Sequence, residues 1–263
     1  MRFLYISIFA LIVVSCSESR MLQKSLGNFN APIGYLHDSK KIDSPKTDSL
    51  IVWLNTQSLD SVTNVSKINS KVLPFLVFNY SEVNLNVKLG QSSIEQKYDD
   101  FFANSLIDES KRTGSFGISD QDSNDSFYTL EITIDTCSTN SKYQRSTTVL
   151  FLFFAYSVST MESGFPAETN LKASTKLKKG SVLIAEKSYA IKRTQPFIPT
   201  PNTSINNLRA DFTANMVESL SLSTKQCVED IINDVNRTLR EKRVSTTSSI
   251  NHNTLTTEPD FSK

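Results

Sequence analysis

Three stretches of this chain alternate apolar and polar residues with a period of two, and that pattern limits the fold more than any other feature. Val83, Leu85, Val87 and Leu89 alternate with Asn84, Asn86 and Lys88. Tyr128, Leu130, Ile132 and Ile134 alternate with Thr129, Glu131, Thr133 and Asp135, and Leu171, Ala173, Thr175 and Leu177 repeat the theme. Successive side chains on a strand point to opposite faces, so each stretch reads as a half-buried strand. Leu50–Leu54 and Val72–Tyr80 are further β-rich apolar runs, with Pro74 demoting the second to an edge or a bulge. Lys178-Lys179-Gly180-Ser181 supplies a turn, which makes Leu171–Leu177 and Val182–Ile191 an antiparallel hairpin.

Two segments change period. Ser92 with Glu95 three residues on is a capping-box signature, opening a helix through about Arg112 whose inward face carries Ile94, Tyr98, Phe101, Phe102 and Leu106. After a loop at Pro196–Pro201, Leu208, Phe212, Met216, Leu220, Cys227, Ile231, Val235 and Leu239 mark one stripe of a long helix, with Ser221-Leu222-Ser223-Thr224 as a candidate interruption. The order is strands, helix, three strands, helix. An antiparallel sheet needs its apolar face covered, and two amphipathic helices are the available cover. The expected fold class is therefore α+β: an antiparallel sheet with two amphipathic helices packed on one face, forming a single domain over residues 48–243.

The flanks read differently. Residues 16–47, with Pro32 and Pro45 and no sustained periodicity, read as a flexible tether, and residues 244–263, dominated by Ser, Thr and Asn, as a disordered tail. Of the 263 residues, 38% are hydrophobic and 21% charged, both below globular norms, while 16 Phe and 8 Tyr still provide for a core. A net charge of +1 gives no global field to draw nucleic acid or an anionic membrane.

The N-terminus carries the most specific signal. Met1-Arg2 is a short positive region, and Phe3–Val14 an apolar one broken by Ser7. Twelve helical residues reach roughly 18 Å, too short for a hydrocarbon core of about 30 Å, so residues 1–15 read as a signal peptide. Val13-Val14-Ser15-Cys16 resembles the lipobox of bacterial lipoproteins. That resemblance implies a diacylglyceryl thioether on Cys16, cleavage before it and acylation of the new amino terminus. Ordinary cleavage at the small residues around Cys16, or a short uncleaved anchor, are the competing fates of the segment. Each buried methylene contributes about 0.8 kcal/mol, so two or three acyl chains hold a protein on a membrane. Ser17 does not carry the Asp associated with inner-membrane retention in some bacteria, so the outer membrane is the leading expectation.

The element order behind a lipobox is also similar to small auxiliary lipoproteins of bacterial envelope transport and assembly machines. The carrying residues are the Val83–Leu89 strand with its Ser92 helix and the Leu171–Ile191 hairpin. Those families imply a non-catalytic role: binding a transporter, a lipid or a partner protein.

Candidate chemistry is sparse. Cys137 and Cys227 remain once Cys16 is assigned to lipid, and they fall on mismatched faces, which favours free thiols over a disulfide. His37 and His252, the two histidines, lie in flanking segments, and no metal or cofactor is expected. There is no Gly-rich phosphate loop and no Gly-x-Ser-x-Gly elbow, and Asp99-Asp100 and Asp108-Glu109 are helix neighbours that do not face each other, so no enzyme is expected. Thr148–Val158 (TVLFLFFAYSV), the most apolar run after the signal region, is either a central buried strand or a segment that contacts lipid or a partner, with burial the leading reading. The lysines Lys172, Lys176, Lys178 and Lys179 are a possible contact for an anionic surface, or guards against edge aggregation. The expected function is a membrane-anchored envelope lipoprotein acting as a non-catalytic accessory or binding subunit of a transport or assembly complex. A surface lipoprotein binding glycan or host material is the alternative, and a hydrolase the third reading.

Overall fold

One strand organises the molecule. In the computed structural model, which describes residues 20–37, 49–56, 71–74, 78–113, 116–118, 128–152, 155–201 and 203–252, a 25-residue strand runs from Tyr128 to Leu152. The strands are β1 (Ser49–Thr56), β2 (Lys71–Pro74), β3 (Phe78–Lys88), β4 (Gly117–Ile118), β5 (Tyr128–Leu152), β6 (Ala155–Gly164), β7 (Ala167–Lys179) and β8 (Val182–Gln195). The helices are α1 (20–26), α2 (Tyr98–Thr113) and α3 (Ile205–His252).

The eight strands make one sheet around β5. β6 and β7 lie end to end along one edge of β5, from Leu152↔Ala155 to Tyr128↔Lys179, joined at Phe165-Pro166. Along the other edge, β1 pairs with the first part of β5 and β3 with the second, through Phe78↔Leu150 to Lys88↔Asn140. The near half of the sheet is thus ordered β4-β1-β5-β7-β8, and the far half β2-β3-β5-β6.

The fold class is α+β, with α2 and α3 packed on each other and on one face of the sheet. The sheet is mixed rather than wholly antiparallel, because β1 runs parallel to both β5 and β4. Parallel neighbours need a long crossover, and α2 lies in the one between β1 and β5. Both helix stripes are buried as their spacing predicts, from Tyr98 to Leu106 and from Phe212 to Leu239. The Lys178–Ser181 turn closes β7 onto β8, with Gly180 at φ 57°, the left-handed conformation that glycine adopts without Cβ strain.

Four expectations need correction. The capping box does not form: Gln91–Ser93 is a short 3₁₀ turn, and α2 begins at Tyr98. Gln91 takes the capping role instead, its Oε1 accepting the Tyr98 backbone N–H at 3.2 Å and its Nε2 donating to the Gln96 carbonyl at 2.8 Å. The tether reading fails for residues 20–37, where Leu22, Leu26, Ala31 and Ile33 enter the core; residues 38–48 lie outside the described residues. The tail reading fails for 244–252, which extend α3, while 253–263 lie outside the described residues. Ser221–Thr224 does not interrupt α3, since Ser223 and Thr224 donate to the carbonyls of Ser219 and Leu220 at 2.8 and 2.9 Å within the helix.

The middle of β5 is polar by sequence yet inward-facing. Thr139, Ser141 and Thr147 are buried there, and Thr139, Thr169 of β7 and Ser219 of α3 form a hydroxyl chain at 2.9 and 2.8 Å. A hydroxyl can donate or accept, so Thr169 in the middle can do both and ties β5 and α3 together through β7. A β-bulge between Ile134 and Thr136 inserts Asp135 and reverses the alternation beyond it. Cys137 consequently stands opposite buried Leu171 on the helix side, not on the polar face that simple alternation assigns it.

Candidate binding surface

The far half of the sheet projects as an arm. α3 lies along β7 and β8 and reaches β6 only with its first turns, so among the described residues no helix covers the arm beyond that point. Thr148–Val158 lies in this arm, where Thr148–Leu150 are half-buried and Tyr156–Val158 exposed, so its described part departs from the expected central buried strand; the side chains of 151–155 lie outside the described residues. Tyr156, Val158 and Met161 are 76%, 54% and 71% exposed. Apolar composition alone predicts burial, but the β5–β6 hairpin outruns the helix that would cover it.

The root of the arm is locked. Glu162, with a fully buried side chain, accepts hydrogen bonds from Tyr143 Oη at 2.7 Å and from Arg209 Nε at 2.8 Å, with Arg209 Nη2 completing a two-pronged contact. Arg145 Nε stands 3.7 Å away on the neighbouring strand. Burial, reinforced by the Glu162 carboxylate, pushes the Tyr143 hydroxyl well above its ordinary pKa. Two residue pairs further, Gly164 passes under two rings: a Cβ there would come within 2.7 Å of Phe197 and 2.8 Å of Phe212. The Phe212 ring in turn meets Tyr143 edge-on, with centroids 4.9 Å apart. Sequence reasoning missed this cluster, although Glu162 is the lone acidic residue between Asp135 and Glu168, a signal that it has a partner.

Charge stops abruptly above the root. The pairs Lys71↔Glu82 and Arg145↔Glu162 carry the last ionised groups. Beyond them, Val72–Ser81 and Ser146–Met161 contain no Asp, Glu, Lys, Arg or His. Among the described residues, no strand pairs with the outer edge of β2 or of β6. Exposed edges are normally guarded by charge, Pro or bulges. β8 follows that rule with Glu186, Lys187, Lys192 and Arg193, whereas Ala155–Met161 of β6 carries no guard.

On the opposite face of the root, a groove of about 540 Å³ opens between Lys88, Asn140, Lys142, Phe165, Pro166 and Glu168. Its volume falls in the range of small-molecule sites.

The other candidates resolve individually. Cys16 lies outside the described residues. Lys172 is exposed on the open face of β7. Lys176 pairs with Glu186 at 3.4 Å, Lys178 with Glu131 at 2.6 Å, and Lys179 Nζ lies 5.4 Å from the Tyr128 ring centroid. Three of the four lysines are thus engaged inside the protein, which weakens them as an anionic-surface contact. Cys137 and Cys227 are free, and burial pushes both thiols up to about 12, so both are protonated and unreactive at neutral pH. His37 is not in a loose segment: its Nδ1 lies 3.4 Å from buried Glu109, which also holds Arg112 at 2.7 Å. Among the described residues there is no group of three or more His, Cys, Asp or Glu able to hold a metal, and no helix is long and apolar enough to cross a membrane.

No protein-family model matches the chain, and no curated protein matches it. Among solved structures, it is similar to the crystal structure of a Xanthomonas campestris protein described by the family model DUF330. The two share 11% identity and a TM-score of 0.45, over 81% of this chain and 98% of that one.

Proposed function

We propose that the chain is an envelope lipoprotein held on a membrane through acylated Cys16, the outer membrane being favoured over the inner. Its α+β body acts as a non-catalytic accessory or binding subunit of a transport or assembly complex, and the arm is the contacting element. The observation that carries this reading is the arm: a charge-free, uncovered sheet with Tyr156, Val158 and Met161 in solvent, fixed to the body by a buried ion pair. Tyr156 and Val158 share one face of β6 and Met161 lies on the other, so the arm exposes apolar side chains on both faces, and exposed apolar surface marks interaction sites. Nothing else in the described residues assembles an activated nucleophile or an acid–base pair.

Two experiments test it. Cys16→Ser should abolish incorporation of an acyl label, and a variant still labelled would put the anchor elsewhere. A photo-crosslinking residue at position 156 in living cells should give defined adducts, whereas the same residue at 176, on the open face of β7, should not. Equal labelling from both positions would remove the arm from the function.

The groove at the root favours the second reading, a surface lipoprotein that binds glycan. Phe165 offers a ring on which a sugar can stack, and Asn140 with Lys88 and Lys142 offers amide and ammonium donors. A glycan array probed with the intact chain and with Phe165→Ala tests this; retention that depends on Phe165 would favour it over the arm.

A further inference from the structure

The outer part of the β5–β6 hairpin carries no ionised group, its apolar residues being interspersed with uncharged Ser and Thr alone. Above the Arg145↔Glu162 pair, seven residue pairs from Ser146↔Met161 to Leu152↔Ala155 run to the end of the hairpin without an ionised group. At 3.4 Å per residue that is about 24 Å, against about 15 Å for one leaflet of the hydrocarbon core. β3 adds Phe78–Ser81 beside it, through Phe78↔Leu150 and Tyr80↔Thr148, and β2 adds Val72–Pro74, again without charge. The boundary is sharp, since Lys71, Glu82, Arg145 and Glu162 all sit in the two adjoining rows at the root. A surface for a protein partner ordinarily has a polar, charged rim mixed around its contact area. Here all charge lies on one side of a single line across four strands, as at a water–hydrocarbon boundary.

An open sheet cannot enter hydrocarbon alone. Each unpaired N–H or C=O there costs several kcal/mol, which is why sheets in membranes close on themselves. Among the described residues the arm has two open edges, β2 on one side and β6 on the other. Its four strands are antiparallel throughout in the order β2-β3-β5-β6, so β2 and β6 run in opposite directions. The β6 edge of one copy and the β2 edge of the next therefore match as antiparallel partners over the four residues Lys71–Pro74. Repetition of that head-to-tail contact closes a ring with an even number of strands, the number that antiparallel closure needs.

We propose that the charge-free half of the arm enters the hydrocarbon of a lipid bilayer, and that copies of this chain seal its edges by pairing β6 of one with β2 of the next. This rests on the membrane-anchored reading above and adds a second, lipid-facing attachment that does not need Cys16.

The test uses the whole chain carrying Cys16→Ser, with Trp53→Phe and Val158→Trp, which leaves one tryptophan, on the arm. It is mixed with vesicles of phosphatidylcholine and phosphatidylglycerol, plain or with brominated acyl chains. Insertion shifts the tryptophan emission to the blue and lets the brominated lipid quench it, and chemical crosslinking of the vesicle-bound fraction gives a ladder beyond the dimer. Adding Tyr156→Asp should lower the bound fraction about tenfold while leaving the circular dichroism spectrum and the melting curve unchanged, since the side chain is exposed. Emission that stays at the aqueous wavelength on vesicles overturns the proposal and leaves a protein partner as what the arm contacts, a result that does not touch the acyl-label test of Cys16. Quenching of a chain that remains monomeric overturns it as well, because a lone arm would carry its bare edges into lipid.

Discussion

The two ends of β5 share one backbone and differ in what lies over them. In the near half, Leu130, Ile132 and Ile134 are buried under the helices, with β1 and β7 alongside. In the far half, β3 and β6 take over as neighbours, the hydrogen-bonded ladder continues, and the cover ends. The ladder is therefore not what distinguishes core from surface here. Layering is: the near half gains its stability from apolar area removed from water on the helix face, while the far half holds its shape through strand pairing and the lock at its root. The comparison predicts that substitutions in the body and at the root change stability, and that substitutions in the arm change binding.

The largest effects should fall where the halves meet the helix. Phe212→Ala removes a ring packed on Tyr143 and Phe197, and should lower unfolding free energy by about 3–5 kcal/mol in urea titrations. Glu162→Gln leaves Arg209 and Arg145 without their carboxylate in a buried setting and should cost a similar amount, roughly 3–5 kcal/mol. A loss under about 1 kcal/mol would mean that the root is not a lock. Gly164→Ala drives a methyl group into the rings of Phe197 and Phe212, and about 1–3 kcal/mol of destabilisation is expected in the same titration.

Asp234 gives a smaller, pH-dependent effect in the body. Burial pushes its carboxyl up, but the Lys187 ammonium at 2.8 Å, together with the Arg237 guanidinium at 2.5 Å, outweighs that and holds it below the usual carboxylate range. A carboxyl lowered on folding stabilises the native state above its unfolded pKa of about 3.9, and the benefit is lost as pH falls through the lower folded value. Asp234→Asn should therefore cost less than about 1 kcal/mol at pH 7, with the difference from the parent vanishing in melts taken progressively below pH 4. Smallest of all in stability, Tyr156→Ser and Val158→Ser should stay within about 0.5 kcal/mol of the parent while reducing arm crosslinking. A clear loss of stability from either would mean that the arm is covered after all.

Much of the fold was legible in the sequence. The period-two runs at Val83, Tyr128 and Leu171, the turn at Gly180 and both helix stripes appear where the pattern puts them, because each depends on local alternation. What escaped depends on relations between distant segments. Asp135 as a bulge, which carries Cys137 to the core side, is one extra residue relative to β7 and has no signature of its own. The hydroxyl chain of Thr139, Thr169 and Ser219 spans three elements and looks like ordinary surface polarity in each of them. β1 as a parallel partner depends on the path of the chain between strands rather than on its own residues. The arm was half legible. Its apolar run was plain, but whether that run is roofed depends on the relative lengths of a hairpin and a helix more than forty residues away.

The unbroken course of β5 has a mechanical consequence. A strand of 25 residues, about 80 Å of nearly inextensible backbone, passes from the arm into the body with a single bulge, at Asp135. A load applied at the tip is carried along that strand as shear across every ladder bond beside it, and the Glu162–Arg209 contact shares the load with α3 near its N-terminal end. The arm therefore works as a rigid lever whose fulcrum is the root, and displacement at its tip should be felt at the hydroxyls around Thr169 before any loop gives way.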